Sequence, residues 1–295
     1  MIAKNIFAIR YILYAIYYIL MLTSSHNPRI KEALNLRESD YRKESGLFLI
    51  EGCREFRLAL TSRVEIKDVF LCSELLEITG LLAELKKKEI NICEVSLEVY
   101  SKIAFGNRKE GIVAIAREPR LSLTDLKLKN NPLLVVLERI EKPGNLGAIV
   151  RTADASGADA VIASDSIIDI YNPNAVRSSL GALFTTKVIR AEAKEIIPWL
   201  RSNSIKIICA LPQADMAYTA VNFRESCAIV LGSEDKGLGD LWKGNADNYV
   251  RIPMLGESDS LNVSTAAGVL LYEALRQRES GLGYFGKSNH GPLAS

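Results

Sequence analysis

The chain has 295 residues, enough for two domains at roughly 100–200 residues each. Its 48% hydrophobic and 24% charged content is that of a globular protein and excludes a disordered or collagen-like chain. A formal charge of +2 excludes gripping nucleic acid by bulk charge, but leaves room for a local basic patch.

The head of the chain, residues 1–23, is apolar. Tyr11 to Leu22 is an uncharged run, shorter than the ~20 residues of a spanning helix and interrupted upstream by Lys4 and Arg10. A signal peptide would add small residues at a cleavage site, and Thr23-Ser24-Ser25 is a weak version of one. The expectation is a non-native or non-essential extension with the working start at Met21, ahead of a membrane anchor and then secretion. Residues 24–118 and 119–295 are each charge-balanced, so the excess of +2 is Lys4 and Arg10.

Residues 24–118 read as a small α/β domain. Asn27-Pro28 predicts a capped helix, followed by a strand at 46–52, a helix from Cys53, a strand at 66–72 and a helix over Glu74–Lys88. INICEVS and GIVAIAR (111–117) complete it as strands. Residues 119–131 lose the periodicity, contain Pro119 and read as a linker.

A second α/β domain is expected over 132–280. Its strands are 132–140, 159–164, 185–191, 205–211, 227–233 and 248–254, apolar enough for a mostly parallel, buried sheet. The run VSTAAGVLLYEALRQRE predicts a long last helix. The tail 281–295 is Gly/Ser-rich and reads as flexible. Gly281 to Ser288 fits the phosphate-loop pattern, but no helix can follow it, so the match is assigned to chance.

Three segments carry chemistry. In the first, which begins at Glu138, the strand over 132–140 ends in a Pro143-Gly144-Asn145 turn that opens a helix. Asn145 is a candidate cap, Gly147 permits close approach, and Arg151 lies on the same helix, about one and two-thirds turns on. In the second, an apolar strand feeds Gly232-Ser233-Glu234-Asp235-Lys236-Gly237, at a strand end where open α/β sheets bind ligands. In the third, Ile252-Pro253-Met254 leads through a loop to Ser260-Leu261-Asn262-Val263-Ser264, with Asn262 or Ser264 capping the last helix. Each segment alone also fits a cap, a surface salt bridge or a solvated turn.

Few other groups offer catalysis. The two histidines, His26 and His290, lie near the ends, which argues against a histidine base or metal cage, and no metal is expected. Five cysteines with no C-x-x-C suggest neither disulfides nor zinc. Cys72, Cys209 and Cys227 sit in apolar runs and read as core thiols in a reducing compartment.

The three segments in this order resemble the SpoU (TrmH) family of RNA ribose 2′-O-methyltransferases, of the SPOUT class. The resembling motifs are N-x-G-x-x-x-R (Asn145, Gly147, Arg151), the Gly232-Ser233-Glu234 strand end with Gly237, and Ile252-Pro253-Met254 with Ser260 through Ala266. Glu138 and Ser233 stand where this family often has Asp and Asn. Residues 24–118 look like the family's substrate-binding domain, so the resemblance covers about 24–279.

The resemblance implies an α/β fold with a trefoil knot over 205–279, S-adenosylmethionine as cofactor, and a cytoplasmic homodimer whose arginine reaches into the partner's site. The implied catalytic residues are Arg151, Asn145, Glu234 and Asn262, and the implied cofactor contacts Leu211, Gly232, Ile252 and Leu261. Because arginine is almost never neutral, Arg151 is expected to hold an RNA phosphate and orient the 2′-hydroxyl, with the base left open. Candidate RNA contacts are Arg29, Lys31, Arg42, Lys43, Arg54, Arg108 and Lys109 in the first domain and Arg177 in the second. Ribosomal RNA is the expected substrate, and a membrane is not an expected partner. The alternatives are a transfer-RNA enzyme, an antibiotic-resistance methyltransferase, or a non-catalytic RNA-binding assembly factor.

Overall fold

The computed structural model describes residues 21–76, 90–105, 109–233 and 235–279. The apolar run before Met21, most of the helix expected at Glu74–Lys88, Arg108, Glu234 and the tail with its phosphate-loop match lie outside the described residues. Among the described residues, no helix is long and apolar enough to cross a membrane.

The chain forms two compact units. The first comprises the described residues up to Arg120 together with Tyr171–Thr185; the second comprises Leu121–Ile170 and the described residues from Thr186 on.

In the first unit, α1 (Pro28–Asn35) begins as expected: the Asn27 side chain accepts the Arg29 N–H at 2.9 Å, and Pro28 takes the position where a missing N–H costs nothing. A second helix, α2 (Ser39–Ser45), stops on Gly46 in the left-handed region at φ +64°. Strand β1 (Leu47–Glu51), helix α3 (Cys53–Thr61), strands β2 (Glu65–Leu71) and β3 (Asn91–Glu94), helix α4 (Leu97–Ile103) and strand β4 (Ile112–Arg117) follow. The sheet order is β1-β4-β2-β3, antiparallel except for β2 with β3. Ile30, Ala33, Phe70, Val99, Tyr100 and Ile115 form its core. Two ion pairs tie α1 to β2: Arg29 with the buried Asp68, and Lys67 with Glu32 at 2.7 Å.

Helices α5 (Pro143–Ala155), α6 (Pro173–Ser179) and α7 (Ala182–Thr185) come later in the chain, and the last two pack with the first unit. The Phe48 ring of β1 packs tilted against Tyr171 with ring centroids 4.3 Å apart and stacks on Phe184 at 6.1 Å. Gly181, at φ +89°, lets α7 sit on α3: a Cβ there would lie 2.5 Å from Leu58 Cδ1.

The second unit holds six strands, β5 (Leu133–Glu138), β6 (Ala160–Ser164), β7 (Lys187–Ala191), β8 (Lys206–Ala210), β9 (Cys227–Leu231) and β10 (Asn248–Val250). Their order is β10-β8-β9-β5-β6-β7, and every pair is parallel, as the apolar runs predicted. Helices α8 (Ala193–Ser202) and α9 (Asp240–Asn245) cover the face that carries Leu134, Val136, Ile162, Ile207 and Val230. Strand side chains alternate, so the opposite face meets α5 and the last helix, α10 (Val263–Glu279), which pack on each other.

Two expectations are sharpened here. The segment 119–131 is docked rather than loose. Leu123, Leu126 and Leu128 pack on the second core, Ser122 and Asp125 form a capping box, and Lys129 pairs with Asp159 at 3.1 Å. The strand expected at 248–254 ends at Val250, because Arg251 bridges instead to Ala217 and Pro253 has no N–H for a ladder.

Candidate active site

The chain runs outward from β5 through β6 to β7, then returns to build β8, β9 and β10 on the other side. The order therefore reverses between β5 and β9, where Leu137 stands opposite Leu231. In open parallel sheets, ligands bind beyond the carboxyl ends of the strands at that reversal. The segments leaving β5, β8, β9 and β10 all emerge along this edge, and each sequence motif lies on one of them.

The segment after β9 is a tight hairpin. The Gly237 N–H donates to Ser233 O at 2.9 Å and the Lys236 N–H to Ser233 Oγ at 3.2 Å. A Cβ on Gly232 would lie 2.2 Å from the Gly237 carbonyl carbon, so only glycine closes this turn. Gly237 itself is left-handed at φ +59°.

Asn262 caps α10, as expected. Its Oδ1 accepts the Ser264 N–H at 2.9 Å, which fixes the amide so that Nδ2 faces away from the helix. That Nδ2 donates to Asn145 Oδ1 at 3.4 Å. The expectation that Asn145 caps α5 is corrected: Lys142 occupies the cap and Pro143 the first position, leaving Asn145 inside the first turn. Its side chain is thereby turned towards Asn262. Arg151 is exposed on the same helix. At roughly 100° per residue it lies about 120° around the axis from Asn145, so the two do not share a face.

Leu211, Gly232, Ile252 and Leu261 are each half-buried; the first three lie just beyond the ends of β8, β9 and β10, and Leu261 lies just before α10. Leu211 donates its N–H to Val250 O at 2.9 Å, joining two of these segments. Gly232 admits no Cβ, and Leu211, Ile252 and Leu261 are half-buried apolar side chains on the segments that follow β8 and β10. That chemistry fits the adenosyl group of S-adenosylmethionine, whose adenine is flat and largely apolar.

The candidate RNA contacts divide. Lys31, Lys43, Arg54, Lys109 and Arg177 are exposed, all on the first unit. Arg177 also lines a small hollow with Glu51 and Phe105. Arg29 is committed to Asp68 and lies 5.9 Å over the Phe70 ring. Arg42 is a correction: it is 4% exposed, and its Nη1 donates to Leu36 O at 2.7 Å and Arg37 O at 2.6 Å. It closes the end of α1 and does not face RNA.

The three expected core thiols are buried. Burial pushes the Cys209 thiol up to about 12, with the Glu138 and Asp247 charges adding to it. Burial likewise pushes Cys227 up to about 11. Neither thiol is a nucleophile near neutral pH.

One buried group at this edge, noted in the sequence only as standing where this family often has Asp, was given no role there. Glu138, 5% exposed at the end of β5, accepts the Gly239 N–H through Oε2 at 2.7 Å. A carboxylate closing an otherwise apolar strand, PLLVVLE, is the signal that could have found it.

The SpoU rRNA Methylase family matches residues 132–272, and the MRM3-like substrate binding domain matches 27–114. The SpoU match runs unbroken through 171–185, which pack with the first unit, so kinship and packing divide the chain differently there. A Streptomyces viridochromogenes enzyme named as a 23S rRNA (uridine(2479)-2′-O)-methyltransferase is 29% identical over 88% of this chain and 93% of its own. A Bordetella pertussis 23S rRNA (guanosine-2′-O-)-methyltransferase is 36% identical over 63% of this chain and 78% of its own. The AdoMet-bound rRNA methyltransferase from Sinorhizobium meliloti superposes with a TM-score of 0.80 at 28% identity, covering 87% of this chain and 97% of that one.

A parallel sheet with these segments at its reversal point defines an α/β methyltransferase of the SPOUT class. The chain belongs to the SpoU rRNA methylase family.

Proposed function

We propose that this RNA methyltransferase transfers the methyl group of S-adenosylmethionine to a ribose 2′-hydroxyl of ribosomal RNA. The observation that carries the reading is the meeting of Asn145 and Asn262 at the edge that also holds the Gly232 hairpin. Leu211, Gly232, Ile252 and Leu261 would hold the donor, which supplies an electrophilic methyl on a cationic sulfonium.

A ribose hydroxyl is a weak nucleophile and must lose its proton as it attacks. Asn145 and Asn262 offer amide groups that orient it, a role also assigned to Glu234, which lies outside the described residues. Arg151 anchors the adjacent phosphate, since a guanidinium matches phosphate oxygens with two parallel N–H bonds. The position of Arg151, turned away from Asn145, suits a site completed by a second copy of the chain. We therefore assign a homodimer, with Arg151 serving the partner's pocket; Tyr272, 52% exposed on α10, offers apolar surface for it.

Residues 205–279 are assigned as the trefoil knot. The support is the binding of the chain's last helix to the segment before β9: Gln277 accepts the Phe223 N–H at 2.9 Å and donates to Val221 O at 3.0 Å. The first unit, through Lys31, Arg54, Lys109 and Arg177, is the assigned RNA-holding surface. We place the enzyme in the cytoplasm, with the ribosomal RNA.

The test is Arg151→Ala. Methyl transfer to ribosomal RNA should fall by at least about a hundredfold while donor binding persists. Normal turnover by the variant would remove Arg151 from catalysis.

A further inference from the structure

At the end of β5, Glu138 is almost completely buried, and each of its oxygens has a partner. Oε2 accepts the Gly239 N–H at 2.7 Å, and Oε1 meets Arg139 Nη2 at 3.0 Å. Gly239 closes the loop that begins at Gly232, and it precedes the first residue of α9. Glu138 thus grips the far end of the 232–239 loop, while the Ser233–Gly237 hairpin closes the near end.

The surroundings are built to keep this grip. Arg139 adopts a left-handed backbone at φ +52°, rare for a residue with a side chain, and its N–H donates to Ser164 O at 2.8 Å. Gly239 approaches so closely that a Cβ there would stand 2.7 Å from Glu138 Oε1 and 3.0 Å from Arg139 Nη2. β5 and β9 are neighbours, so the bond spans the point where the strand order reverses.

We propose that Glu138 is a positioning residue for the 232–239 loop: its buried carboxylate, held by Arg139, fixes the loop's amide backbone in the shape that receives the methyl donor. The inference rests on the assignment of Gly232 to the donor site. The chemistry calls for a carboxylate, because both partners are N–H donors. A glutamine of the same shape has one acceptor oxygen, and whichever way it turns, its NH2 confronts either the Gly239 N–H or the Arg139 guanidinium.

The experiment compares the full-length protein with Glu138→Gln and Gly239→Ala. It reads S-adenosylmethionine affinity by calorimetry, thermal midpoint, and hydrogen exchange at the Gly239 amide. Glu138→Gln loses one bond to a charged group, and Gly239→Ala sets a Cβ 2.7 Å from Glu138 Oε1 that pushes the carboxylate off the residue-239 N–H, so about tenfold weaker donor binding is expected for each variant. The lost bond also predicts about tenfold faster Gly239 exchange, with the core strands still protected. Donor affinity within twofold of wild type in both variants, with Gly239 still protected, overturns the proposal. If Glu138→Gln does not fold, Gly239→Ala decides alone, since it leaves β5 intact. If the wild-type protein itself binds no donor, the donor-site assignment fails and with it the proposal. Gly239 exchange then still reports whether Glu138 holds the loop.

Discussion

Asn262 donates from Nδ2 to Oδ1 of Asn145, across 117 positions of sequence. The cap decides the direction of this bond. Because Asn262 Oδ1 is engaged by the Ser264 N–H, the amide cannot flip without uncapping α10. One residue thus joins two tasks, starting a helix and aiming a donor at the site, and substitutions separate them. Asn262→Asp keeps the cap oxygen but loses the donor; it should retain stability and lose methyl transfer. Asn262→Ala should lose both, with a stability cost of about 1 kcal/mol. Denaturation midpoints and transfer rates, measured side by side, check the split.

The C-terminal helix is held by its last turn. Arg278 donates to four carbonyls: Phe223 O at 2.8 Å, Asn131 O at 2.8 Å, Glu225 O at 2.7 Å and Pro132 O at 3.3 Å. These lie at the start of β5 and before β9, so one guanidinium ties three stretches of the second unit. Arg278→Ala should cost on the order of 2 kcal/mol in urea denaturation. Arg278→Lys should recover only part, because a point charge cannot serve a fork of carbonyls.

Asp247 makes stability depend on pH. Burial would raise its carboxyl, but the Arg201 guanidinium, with Nη1 2.7 Å from both oxygens, and the Ile207 N–H at 2.7 Å outweigh burial and hold it low. A carboxyl lowered on folding stabilises the protein above its unfolded pKa of about 3.9, and this contribution is lost as pH falls through the folded value. Asp247→Asn should therefore destabilise clearly at pH 6 and far less at pH 3. Equal destabilisation at both would show that the charge is not what matters.

Much of this was legible in the sequence, for identifiable reasons. The last helix follows the expected run from Val263 to Glu279, because its apolar spacing and Asn262 cap agree. The strands of the second sheet were legible because buried parallel strands are continuously apolar. Their order was not, since apolar runs carry no record of their neighbours. Without that order, the proximity of Glu138 to Gly239 could not be seen.

Basic residues were harder to read. In S-D-Y-R-K-E-S nothing distinguishes Arg42, which turns inward to two carbonyls, from Lys43, which stays exposed. A long aliphatic stem lets arginine serve either side of a surface. Asn145 was misplaced because Pro-Gly-Asn marks a helix start without saying which residue caps it. The proline took the first position and moved the cap back to Lys142.

The most direct test of the account is the position of the transferred methyl group. Full-length protein, unmodified 23S ribosomal RNA and S-adenosylmethionine with a labelled methyl group are incubated together, and the RNA is then hydrolysed in alkali. A ribose methylated at its 2′-oxygen cannot assist cleavage of its own phosphodiester, so the label should appear in alkali-resistant dinucleotides, and Arg151→Ala should abolish it. Label on a base, released in ordinary mononucleotides, or no transfer to any RNA, would contradict the account.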